Sequence, residues 1–234
     1  NVAIGTNALL GGDFSAANTN LTENVAIGYQ AMDGTGTIGG NDNVFVGKGS
    51  GGGSWSTAES NFNVGIGQGA LAGALNAQTG TIAIGKSALG ALTDGAGNTA
   101  IGYQSIDGNT DGVRNVALGY HAGRQTQPGS NSLTSPDDCT FIGYDTRASN
   151  TVNPQNQTVI GKDAQGLADN SVTLGNTAVT AVYMSSDSGA TVHCAKITTA
   201  TQTPLRFHNN MTGTANAGYF QFSSQTVNHD MVFG

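Results

Sequence analysis

The phrase NVAIGYQA occupies residues 24–31, and the chain writes it again with small changes: NVAIGTNA at 1–8, NTAIGYQS at 98–105 and NVALGYHA at 115–122. Aligning every copy on the glycine that closes the apolar run gives ten: Gly5, Gly28, Gly47, Gly67, Gly85, Gly102, Gly119, Gly143, Gly161 and Gly175. The residue before each glycine is aliphatic without exception: Ile4, Ile27, Val46, Ile66, Ile84, Ile101, Leu118, Ile142, Ile160 and Leu174. Two residues earlier stands Val or Ile in seven copies (Val2, Val25, Val44, Val64, Ile82, Val116, Val172) and Thr in three (Thr99, Thr140, Thr158). Apolar residues at every second position mark a short β-strand with one buried face, and the three-and-four spacing of a helix does not occur.

The third residue after the glycine is always small, from Ala8 and Ala31 through Ser50, Ala70, Ala88, Ser105, Ala122, Thr146 and Ala164 to Ala178. Repetition within one chain is a geometric demand made ten times. The glycine suits a corner with positive φ or a close approach of two backbones, and the small residue suits a second crowded point. Each phrase is therefore expected to run strand, corner, strand, and stacked phrases to form a parallel β-solenoid. So thin a coil buries little, so the Val and Ile positions are expected to face either the solenoid interior or an axis shared between chains.

Successive glycines are 23, 19, 20, 18, 17, 17, 24, 18 and 14 residues apart. The stretches that absorb the difference, such as GGDFSAANTNLTE (11–23), GGGSWSTAES (51–60) and QPGSNSLTSPDD (127–138), are loop chemistry. A solenoid tolerates such insertions at its corners, where they serve as binding surface. Glycine is about twice as frequent as usual, with 36 in 234 residues, and only 10% of residues are charged. A net charge of −7 with eight Lys and Arg leaves no basic patch for nucleic acid. No apolar run is long enough to cross a bilayer. Because the chain starts at Asn1 in mid-phrase, without Met, it is expected to be a piece of a longer protein. Cys139 and Cys194 fit no zinc or redox spacing and read as unpaired thiols.

NSVTLGNTA (170–178), NVAIGYQA and TIAIGKSA (81–88) resemble the head repeats of trimeric autotransporter adhesins. The Gly-Tyr-Gln-Ala and Gly-Tyr-His-Ala versions are similar to the same repeat in phage tail fibres. The resemblance covers about residues 1–185 and implies a left-handed parallel β-roll joined as a homotrimer. It further implies a virion tail fibre that binds a host cell-surface receptor, a glycan or a protein, alongside other virion tail proteins, with no nucleic acid and no membrane insertion. A bacterial surface adhesin head is the alternative. On this reading residues 1–178 are a β-roll shaft and 179–234 a small β-rich C-terminal tip that caps it. The tip holds Phe207, Phe220, Phe222 and Phe233, half of the chain's eight Phe.

No catalytic constellation emerges, and no cofactor is expected. His121, His193, His208 and His229 lack metal-ligand spacing, although a three-fold axis could gather three copies of His208 or His229. Asp137 and Asp138 are adjacent and point apart if extended, which does not suit acid and base work on a glycan; a depolymerase of the tailspike type would need more. The receptor-binding candidates are aromatic. Trp55 sits in a Gly-Ser loop with Phe62 nearby, while Tyr103, Tyr120 and Tyr144 share with Tyr29 the place after the corner glycine and are expected to stack as a ladder. Flat rings with a polar handle suit sugar binding.

Overall fold

A computed structural model describes residues 1–10, 21–35, 39–55, 58–126, 131–149, 153–180 and 182. Ten short strands form where the alternation predicts them: β1 (Val2–Ile4), β2 (Val25–Ile27), β3 (Val44–Val46), β4 (Val64–Ile66), β5 (Ile82–Ile84), β6 (Thr99–Ile101), β7 (Val116–Leu118), β8 (Thr140–Ile142), β9 (Gln157–Ile160) and β10 (Ser171–Leu174). They pair in chain order as one parallel sheet. The register is that of the phrase itself, with Val25 beside Val44, Ala26 beside Phe45 and Ile27 beside Val46. The protein is all-β, a parallel β-solenoid, with no helix among the described residues. The compact unit runs Asn1–Val182, and the expected tip lies outside the described residues apart from its first few.

The second strand expected after each corner does not form. In the coil that follows Gly28, Gln30 and Met32 have φ of 54° and 52°, and after Gly102 the same two places, Gln104 and Ile106, have 51° and 36°. A chain that enters the left-handed region at every second residue curls and cannot stay extended. This wall of the solenoid is a column of turns, tied by coil-to-coil bonds such as Met32 N–H to the Ser50 carbonyl at 2.8 Å.

The curl decides what lies inside. The middle residue of each strand points inward: Ala26, Phe45, Ala83, Ala100, Ala117, Phe141 and Val159 are fully buried. The Val and Ile on either side point out, with Ile4 57% and Leu118 47% exposed. The interior alternative for those positions is thereby corrected. The space behind the sheet is filled from the turn wall, by Met32, Leu71, Leu89 and Ile106 beside the small column Ala31, Ser50, Ala70, Ala88, Ser105 and Ala122. Volume is exchanged between walls. Where the strand carries Phe45, the turn carries Gly51, and a Cβ there would lie 2.6 Å from the Phe45 ring. Interiors of native density leave room for one or the other.

Two devices hold coil to coil. The first is the corner: Gly67 has φ of +130°, and a Cβ on it would lie 2.6 Å from the Gly85 carbonyl oxygen. The second is a buried amide ladder at the residue before each strand. Asn24 Oδ1 accepts from the backbone N–H of Asn43 at 2.9 Å and from its Nδ2 at 3.0 Å; that Nδ2 also donates to the Ser60 carbonyl at 2.9 Å. Asn63 repeats the pattern, and Asn98 and Asn115 form a second run that ends on the Cys139 N–H at 2.9 Å. Between the runs stands Thr81, whose buried hydroxyl has no hydrogen-bond partner.

Two stability outcomes follow. Gly67→Ala meets both a strained φ and a backbone carbonyl, and should cost about 3 kcal/mol in denaturant unfolding. Thr81→Asn restores a rung able to serve the Asn98 N–H and should gain about 1 kcal/mol in the same assay.

Candidate functional site

The outward residues of the strands make an aliphatic face. One column runs Val2, Val25, Val44, Val64, Ile82, Thr99, Val116, Thr140, Thr158, Val172; the other runs Ile4, Ile27, Val46, Ile66, Ile84, Ile101, Leu118, Ile142, Ile160, Leu174. Every one of these positions is half-buried or exposed. The strands are stacked without offset, so the columns are continuous along the sheet.

Beside this face, the residue after each corner glycine forms another column: Thr6, Tyr29, Lys48, Gln68, Lys86, Tyr103, Tyr120, Tyr144, Lys162 and Asn176. The expected ladder is present. Tyr103 and Tyr120 stack with ring centroids 5.0 Å apart and planes 10° apart; Tyr120 and Tyr144 stack at 5.6 Å and 12°. Each pair adds roughly 0.5–1.5 kcal/mol beyond its buried area. Stacking turns the ring faces toward one another, so the ladder presents its edges and hydroxyls to solvent. Lys86 Nζ lies over the Tyr103 ring, 5.8 Å from its centroid, and Lys48 stands likewise over Tyr29 at 5.7 Å.

His121 leans on the ladder, 4.0 Å from the Tyr120 centroid, and its Nε2 is 3.0 Å from Gln104 Oε1. Burial, helped by the nearby Arg124 charge, holds its pKa below the usual imidazole range, which favours the neutral ring. Asp107, 3.4 Å from Arg124, is raised by burial, and the Arg124 charge offsets only part of that rise. Asp145 pairs with Arg147.

The other two aromatic candidates do not join the ladder. Trp55 is corrected from a surface residue to a core one: it is 3% exposed, packs edge-on against Phe45 at 6.1 Å, and donates its indole N–H to the Gly51 carbonyl at 3.2 Å. Its Gly-Ser loop folds inward because Phe45 offers it an apolar wall from the coil's own strand. Phe62 is 59% exposed, in a column two residues ahead of the strands that it shares with Asp42, Arg114 and Asp138. Asp138, paired with Arg114 at 2.7 Å, and Asp137, whose Oδ1 accepts from the Val113 N–H at 2.9 Å, both tie coil to coil. The amide ladder is what sequence reasoning missed, although its signal was in view: Asn precedes the strand in NVAIG, NVFVG, NVGIG, NTAIG and NVALG.

A cleft of about 480 Å³ lies against the last coils, lined by Asp163, Gln165, Leu167, Thr173 and Asn176 among others. It offers one carboxylate, where glycoside hydrolysis uses two. Among the described residues no three His, Cys, Asp or Glu side chains gather as metal ligands. His193, His208, His229 and Cys194 lie outside the described residues. Comparison with models of protein families, with curated proteins and with solved structures gives no match to this chain.

Cys139 takes a rung position at the end of the amide ladder, where burial pushes its thiol up to about 11. It should resist alkylation at neutral pH in the native state and react on unfolding, read on its own peptide by mass spectrometry. The folded chain holds this proton more tightly than the unfolded one. The stability it contributes is therefore complete below about pH 9 and lost as pH rises toward 11.

Proposed function

We propose that this chain is the shaft and tip of a homotrimeric virion tail fibre that attaches to a cell-surface receptor, a glycan in the first instance. The observation that carries the reading is the aliphatic face. Soluble monomers rarely expose one continuous apolar patch beyond a few hundred Å². Here two columns run the length of the sheet, about 43 Å for nine steps of roughly 4.8 Å. Three left-handed rolls turned inward about one axis would cover all three faces and close the assembly by symmetry. The resemblance of the phrases to trimeric fibre and adhesin repeats supports three copies. A bacterial trimeric adhesin head would use the same face; the Gly-Tyr-Gln-Ala and Gly-Tyr-His-Ala phrases favour the fibre. The role is structural and adhesive, without catalysis.

Light scattering on a size column tests this. Three copies of 23.5 kDa give about 70 kDa. The double variant Ile66→Asp, Ile101→Asp places charges on the face, outside each chain's own core, and should shift the mass to that of one copy. A wild-type mass of 23.5 kDa would end the reading.

A further inference from the structure

Among the described residues, all four tyrosines and all three lysines stand in the single column that follows the corner glycines: Tyr29, Tyr103, Tyr120, Tyr144, Lys48, Lys86 and Lys162. Nothing in the coil geometry requires this, since Thr6, Gln68 and Asn176 fill the same place. We propose that this column is a binding track for an acidic polysaccharide laid along the shaft. The inference rests on the attachment reading above and names the class of receptor.

The polymer is chosen by charge, spacing and the way the rings are turned. Lys48 and Lys86 are exposed and make no ion pair among the described residues; Lys162 lies 3.6 Å from Asp163. On a chain of net charge −7 they form a local cationic stripe that selects an anion. Lys48 and Lys86 are two coils apart, and Lys86 and Lys162 four, or about 10 and 19 Å at roughly 4.8 Å per coil. Such sparse cations suit a polymer whose charges are separated by neutral units. They do not suit a nucleic acid, which carries a phosphate about every 3.4 Å along each strand. Between Lys86 and Lys162 the stacked Tyr103, Tyr120 and Tyr144 present hydroxyls and ring edges at the coil repeat. A row of phenol hydroxyls both donates to and accepts from the hydroxyls of a sugar chain. Carboxylates of the polymer then sit on the ammonium groups, and its neutral units lie over the tyrosine edges.

The test uses the full chain, with its mass measured on the same sample. Polygalacturonate, alginate and hyaluronate are titrated calorimetrically, with dextran as the neutral control. The expected result is binding of at least one acidic polymer and none of dextran, weakened as salt rises from about 0.05 to about 0.5 M. Lys48→Gln with Lys86→Gln should weaken binding about tenfold or more, and Tyr120→Ala should weaken it independently, with the mass unchanged. Failure of all three acidic polymers to bind, equal binding of dextran, or binding indifferent to these variants would overturn the track. If that happens while the sample still runs at the trimer mass, the fibre reading stands; a single-copy mass would remove the fibre reading itself.

Discussion

The fold depends on how closely one glycine corner approaches the next. At Gly67 the backbone passes so near the Gly85 carbonyl that no side chain fits, and the Gly67 N–H reaches back to the Val46 carbonyl at 2.7 Å. The contact repeats down the stack and sets every coil at the same phase. Because the corners coincide, the strands pair without offset, the asparagines fall above one another, and the tyrosines meet face to face. Parallel pairing has slightly weaker bonds per residue than antiparallel pairing. The stack compensates by number: sheet and turn wall add bonds from coil to coil, and the amide ladder adds more in its two runs.

That close approach also determines what the chain shows to its surroundings. A coil this tight has an interior only one residue wide behind each strand, which Ala fills in five of the ten copies. The larger Val and Ile are left on the outer surface, where their branched side chains suit the pleat but remain in contact with water. The turn wall buries its large side chains, but the sheet buries mostly small ones and leaves its large aliphatic residues outside, an exposed apolar face of the kind that calls for explanation. This imbalance is the physical root of the proposed trimer.

Much of the architecture was legible because the repeat reports geometry directly. An aliphatic residue before each of ten glycines fixes strand position and register together, while the structure adds which face is which and replaces the expected second strand by a wall of turns. The inward and outward faces were not legible, since alternation alone does not say which set is buried when both middle and flanking residues are apolar. Trp55 misled because its loop, GGGSWSTAES, has no apolar neighbour in sequence; its wall is Phe45, ten residues back and reached only once the coil closes. The amide ladder was visible as Asn before Val or Thr, but a buried Asn has meaning only when the next coil supplies its acceptor and donor. The tyrosine ladder needed only the phase, which the glycines gave.

A stack locked in phase makes each residue position a line on the surface. A change at one position of the phrase alters one point on one line, whereas a change in insertion length alters a corner and leaves the lines intact. The insertions implied by spacings between 14 and 24 residues have therefore been accommodated without disturbing the columns. Core, aliphatic face and post-glycine column are thus separable: inward positions answer to volume exchange, strand-flanking positions to the proposed burial against other copies, and the post-glycine position to neither. The corner glycine sets the backbone there, and the side chain that follows it points to solvent in most coils. A position free of core-packing demands in this way can follow the chemistry of whatever lies along the coils. The concentration of tyrosine and lysine on that one line, and on no other line of the described coils, is the pattern such freedom would leave.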